Sequence, residues 1–139
     1  MPVRVKLRIE SKTGETVEVP ALVNTGYSVE EAEVLIPQSI AETLNLRPEV
    51  YEGTRIEDYS TVSGRVRLTF MPAAVKVSVL ARDRTVGPVR ANATISAVEA
   101  EVLISDRLAD ELKISIIKAG AGEWRFVDDV ANKVRASMG

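Results

Sequence analysis

Apolar and polar residues alternate with a period of two along much of this chain. The pattern starts at its N-terminus, where Val3, Val5, Leu7 and Ile9 are separated by Arg4, Lys6 and Arg8. That period puts alternate side chains on opposite faces of an extended strand. A second run, Thr16 to Val23, follows the turn cluster Ser11-Lys12-Thr13-Gly14, so the two are predicted to pair as a hairpin. Arg65 to Phe70 and Ala74 to Leu80 alternate on either side of Met71-Pro72, and Val86 to Ile95 follows the turn-prone Arg82-Asp83-Arg84. Ile114 to Ile117 and Glu123 to Val127 flank Ala119-Gly120-Ala121-Gly122, a further hairpin signal. Past Asp129 the tail has weak helical character.

Helical spacing is found in two places, and both follow the same six residues. EAEVLI runs from Glu31 to Ile36 and again from Glu99 to Ile104, sixty-eight residues on. The first copy continues as PQSIAETLNL and the second as SDRLADELKI, matching Ile40 with Leu108, Ala41 with Ala109 and Leu44 with Leu112. Each unit therefore reads as a strand followed by a short helix. Ser39 and Glu42 have capping-box spacing in the first helix, and Asp106 is the predicted N-cap of the second. The expected architecture is mainly β with two short helices, a domain over residues 1–128 built from two related halves, and a C-terminal tail over 129–139.

Composition narrows the chemistry. There is no Cys and no His among the 139 residues. This excludes disulfides, Cys/His zinc sites, and nucleophilic pairs that depend on imidazole. A net charge of −2 gives no general attraction to nucleic acid, and the alternating N-terminus lacks the unbroken apolar run of a membrane span or leader. A cytoplasmic protein that binds neither nucleic acid nor membrane is expected. Glu30, Glu31 and Glu33 form an acidic run, but strand alternation puts Glu31 and Glu33 on one solvated face, so no metal is assigned. Asn92-Ala93-Thr94 has the form of a glycosylation sequon and is read as accidental.

Between the first hairpin and the first EAEVLI copy lies ALVNTGYS, Ala21 to Ser28. An apolar strand running into a polar-Thr-Gly turn resembles the active-site loop of the retropepsin-like aspartic peptidases, which reads apolar-apolar-Asp-Thr-Gly. The similarity continues through a strand, a Pro and a short helix (EVLIPQSIAETLNL) and, later, through EVLISDRLADELKI, with Ser105 where the family has Gly. It covers Val3 to Val127. The resemblance implies a closed acid-protease barrel with an internal pseudo-twofold relating the two EAEVLI units. At the matching offset the second half reads Asn92-Ala93-Thr94, so each chain supplies one catalytic loop, and the site forms across a homodimer twofold.

Asn24 stands at the position of the family's catalytic Asp, with Thr25 and Gly26 completing the loop. In the family, two Asp carboxylates about 3 Å apart share one proton; one activates a water and the other polarises the scissile carbonyl. The reaction is direct hydrolysis of a peptide bond, without a cofactor or a covalent intermediate. An Asn amide cannot serve as that base, so the sequence as written is expected to be inactive. Thr25 takes the family's hydrogen bonds across the twofold, and Gly26 permits close backbone approach. Tyr27 either lines a substrate pocket or packs beneath the flap. The flap is the stretch from Tyr51 to Arg65, with Ser63-Gly64 at its tip, closing on an extended peptide or unfolded protein. Three readings of Asn24 remain: an engineered inactive variant of a peptidase, made to trap substrate or stop self-digestion, a natural pseudoenzyme that binds without cutting, or an ordinary Asn-Thr-Gly turn in an unrelated β protein.

Overall fold

The N-terminal alternation forms β1 (Arg4–Ser11), with Val5, Leu7, Ile9 and Ser11 buried and the residues between them turned toward solvent. It pairs antiparallel with β2 (Thr16–Val23), as the Ser11–Gly14 turn requires. The computed structural model describes residues 1–23, 26–61 and 64–138. Next along the chain come β3 (Glu33–Pro37), α1 (Gln38–Thr43), β4 (Arg55–Thr61), β5 (Gly64–Leu80), β6 (Thr85–Ser96), β7 (Val102–Ile104) and α2 (Asp106–Glu111). The C-terminal part adds β8 (Ile114–Lys118), β9 (Glu123–Phe126) and β10 (Arg135–Ala136). Mainly β structure with two short helices was expected, and is found.

Six strands close into a barrel in the order β1-β2-β7-β3-β6-β5, with β5 returning to pair with β1. Closure leaves these strands without a free edge. The two alternating runs on either side of Met71-Pro72 are one long strand, β5, interrupted by an irregularity between Met71 and Val75. Ala73 there has a φ of 49°. The second part of β5 belongs to the barrel. In its first part Thr69 to Met71 still pair with β6, while the whole of it pairs with β4, from Arg55↔Phe70 to Thr61↔Gly64, so that the far end of this hairpin projects from the barrel.

The two EAEVLI segments occupy matching places. β3 and β7 lie side by side, antiparallel, with Leu35 opposite Leu103 and Val34 opposite Ile104. The parallel pairings also answer one another: Val23 pairs with Ile104, and Ile95 pairs with Ile36. Likewise Leu7↔Val19 in the first half is answered by Val75↔Ala91 in the second. The helices end alike, each followed by a non-glycine residue in the left-handed region, Asn45 (φ 56°) and Lys113 (φ 64°), after the fully buried Leu44 and Leu112. These pairings make Val23 the counterpart of Ile95. The second-half loop therefore starts at Ser96 and not at Asn92-Ala93-Thr94, because the connection from β6 to β7 is four residues shorter than that from β2 to β3.

Other local expectations are corrected. Ser39 and Glu42 make no capping box, since α1 starts on Pro37 without a side-chain cap. The N-cap of α2 is Ser105, whose Oγ accepts from Leu108 N at 3.2 Å, and Asp106 lies in the first turn. The tail is not helical: β10 pairs with β9 in a three-stranded sheet with β8. The Arg135 guanidinium holds it there, donating to Asp129 Oδ2 at 2.9 Å and Asp83 Oδ1 at 2.6 Å and stacking 4.8 Å from the Phe126 ring centroid. Ser137 Oγ accepts from Arg4 N at 2.8 Å and donates to Pro2 O at 2.8 Å, tying the two ends of the chain. Among the described residues no helix is long and apolar enough to cross a membrane.

Candidate functional site

Residues 26–32, ahead of β3, form a loop clamped from two sides. On one side the start of α2 holds it: Asp106 N donates to Tyr27 O at 2.9 Å, Ser28 Oγ donates to Asp106 Oδ2 at 2.9 Å, and Arg107 Nε donates to Glu30 O at 3.2 Å. On the other side Asn92, on β6, donates through its amide N to Ala32 O at 2.9 Å and through Nδ2 to Glu31 Oε1 at 3.1 Å. Asn92 Oδ1 meanwhile accepts from Ala73 N at 2.8 Å, so one buried amide side chain links the loop to the kink in β5. A buried polar side chain used in this way is structural, and Asn92 is no surface acceptor for a glycan.

Glu33, the first residue of β3, is at the centre of the arrangement. It is only 3% exposed, which overturns the expectation that it shares a solvated face with Glu31. The alternation argument assumed a strand with one wet face. β3 is buried on both faces, between β6 and β7 with both helices packed nearby. Two phenols converge on one carboxylate oxygen: Tyr27 donates to Glu33 Oε2 at 2.5 Å and Tyr59, on β4, donates to the same atom at 3.1 Å. Tyr27's only hydroxyl proton is used in this way. Thr94 Oγ1 lies 3.1 Å from the same hydroxyl and also bonds the Val34 carbonyl at 3.4 Å. The Glu33 backbone is fixed as well, its N–H donating to Ser105 Oγ at 3.1 Å and its carbonyl accepting from Ser105 N at 3.1 Å.

Burial pushes the Glu33 carboxyl above its ordinary range. The two phenol bonds oppose this, while the negative charges of Glu57 and Glu31 add to it. Burial also raises both phenols, Tyr27 and Tyr59, with the Glu33 charge reinforcing the effect, so each remains a proton donor. Between the loop and the β4–β5 hairpin lies an open cleft of about 750 Å³, lined by Val29, Glu31, Glu57, Tyr59 and Phe70 among others. Arg55 pairs with Glu57 at its rim and lies over the Phe70 ring, 4.3 Å from its centroid. No group of three or more acidic residues able to hold a metal ion occurs among the described residues.

Of the residues singled out from the sequence, Asn24, Thr25 and Ser63 lie outside the described residues. Gly26 is exposed at the start of the clamped loop, and Gly64 opens β5 opposite Thr61. Tyr27 directs its hydroxyl onto Glu33. No protein-family model and no curated protein matches the chain. Sequence reasoning missed Glu33, Tyr59 and Thr94. One signal was available for Glu33: it opens the continuous apolar run Val34-Leu35-Ile36, which reads as a strand buried on both faces, where a carboxyl needs hydrogen-bond donors.

Proposed function

We propose that this domain is a retropepsin-type aspartic peptidase fold acting as a homodimer on an extended polypeptide, without cofactor, and that Asn24 in place of the catalytic Asp makes the chain as written inactive. The observation that carries the reading is the barrel's internal correspondence. The strand pairings of the two halves repeat about the Leu35–Leu103 pair, as an internal pseudo-twofold would have it, and β2 ends at Val23, the residue before Asn24-Thr25-Gly26 in the sequence. The β4–β5 hairpin supports it further, because it stands where a flap would, with Tyr59 bonded to the same Glu33 oxygen on β3 as Tyr27. On this reading Asn24, Thr25 and Gly26 form the loop at the dimer twofold, Ser63 and Gly64 face the substrate side, and Tyr27, expected there or beneath the flap, takes the second place, its hydroxyl turned inward onto Glu33. With Asp at position 24 in both chains, two carboxylates would share one proton and drive attack of water on the peptide carbonyl.

A second reading is favoured by one observation, the Asn itself. A natural Asn24 makes the domain a non-catalytic peptide-binding or assembly module that adds an extended segment as a strand in the same cleft. The test compares this chain with its Asn24→Asp form for cleavage of an unfolded protein from acidic to neutral pH, with and without a statine-type transition-state mimic. Cleavage by the Asp form alone, blocked by the mimic, supports the peptidase. Cleavage by neither folded form refutes it and leaves the binding module.

A further inference from the structure

We infer that Tyr27 is a positioning residue for the Asn24-Thr25-Gly26 segment, and that the buried Glu33 carboxylate is the anchor through which it acts. What the segment does once it is held there rests on the peptidase reading above. Tyr27 directly follows Gly26 in the chain and is pinned at two points. Its carbonyl accepts from Asp106 N at 2.9 Å, which ties its backbone to the start of α2. Its hydroxyl donates to Glu33 Oε2 at 2.5 Å and lies 3.1 Å from Thr94 Oγ1, which ties its ring to β3 and β6.

The anchor is itself fixed. β3 lies between β6 and β7, and Ser105 holds the Glu33 backbone by two bonds, accepting from its N–H at 3.1 Å and donating to its carbonyl at 3.1 Å. On the other side of the segment Val23, the last residue of β2, pairs with Ile104 of β7. The two flanking residues are thus both held by one run of three: Ile104 takes Val23, Asp106 takes the Tyr27 carbonyl, and Ser105 between them takes the residue on which the Tyr27 hydroxyl rests. Small misplacements of a reacting group carry large costs in rate, so a clamp of this kind around position 24 has a direct use. A buried carboxylate needs donors in any structure, and Tyr59 supplies one from β4. What distinguishes the Tyr27 bond is that it fixes the chain one residue beyond Gly26.

Two measurements test this, the first without any peptidase activity. In the chain as written, hydrogen exchange of the Asp106 amide reads its bond to the Tyr27 carbonyl. The Asn92 amide, bonded to Ala32 O at the far end of the loop, is the reference for any loss of overall stability. A hydrogen bond to a charged group is worth about ten-fold or more in an equilibrium, so Tyr27→Phe should speed exchange at Asp106 by at least about ten-fold relative to Asn92. Tyr59→Phe removes a donor from the same oxygen but lies on β4, and should leave that ratio near the parent's. Glu33→Gln keeps an acceptor oxygen for the phenol and should do the same. A ratio unmoved by Tyr27→Phe, or moved as much by Tyr59→Phe, overturns the inference. The second measurement uses the Asn24→Asp chain, in which Tyr27→Phe should lower kcat by at least about ten-fold with KM little changed. A rise in KM at unchanged kcat overturns the inference too. Absence of cleavage by the Asn24→Asp chain itself refutes the peptidase reading instead, and the exchange ratio then decides the anchoring alone.

Discussion

Ser105→Ala is the substitution whose effect follows most directly from the structure. Ser105 is fully buried, and its Oγ is shared by two amides from different halves of the molecule, Leu108 N at 3.2 Å and Glu33 N at 3.1 Å. Losing the first removes the N-cap of α2, at a cost of about 1 kcal/mol. Losing the second strands the Glu33 N–H in a site with little access to water, a further cost of about 1–3 kcal/mol. The two share one atom and need not add fully, so a loss of about 2–4 kcal/mol is expected, from a total that for such domains is about 5–15 kcal/mol. Urea unfolding followed by fluorescence of Trp124, the chain's single tryptophan and a buried one, measures this as a lower midpoint at unchanged slope. Ser39→Ala is the control. Ser39 has the sequence spacing of a capping box but caps nothing, and its loss should stay within about 0.5 kcal/mol. A Ser105→Ala loss no larger than that of Ser39→Ala would refute the reasoning.

Three more expectations concern other parts of the molecule. Because the folded state raises Glu33's pKa, this group's contribution favours folding in acid and is lost as pH rises through the folded value. Glu33→Gln should therefore flatten the fall in stability between the ordinary carboxyl range and the folded value, measured as thermal midpoints across pH. Asp129 is the opposite case: hydrogen bonding from Arg135 holds its carboxyl well below the usual range, so its contribution is present above the unfolded pKa and lost as pH falls through the folded one. Asp129→Asn should be less stable than the parent at neutral pH, with the difference closing in strong acid. Gly122 has φ +69°, and a Cβ there would lie 2.9 Å from Ser137 Cβ, so Gly122→Ala should cost about 1–2 kcal/mol in denaturant unfolding and loosen the tail.

What was legible in the sequence was what depends on period and on repetition. The alternation of β1 and the hairpin turn at Ser11–Gly14 were readable because one face of that strand is wet. The paired strand-helix units were readable because EAEVLI is spelled twice, and they do take matching positions in the barrel. The readings that failed depended on tertiary surroundings. Glu33 was placed in solvent because alternation cannot reveal that β3 has neighbours on both sides. Asp106 was preferred as a cap because the sequence does not show that Ser105 Oγ faces both Leu108 and Glu33. The tail looked weakly helical because its strand pairing is held by Arg135 reaching Asp129 and Asp83, the latter fifty-two residues away in the chain. The four-residue difference between the two loops shifted the apparent counterpart of Val23, an error that the pairing of Ile95 with Ile36 corrects.

The central claim is a site built from two chains around position 24, and the most direct measurement is the number of statine-type mimics bound per chain by the Asn24→Asp protein. Calorimetric titration gives this number, with the mass in solution determined by sedimentation. The account predicts a dimer that binds one mimic for every two chains. One mimic per chain on a monomer, or no binding by a folded protein, would contradict it.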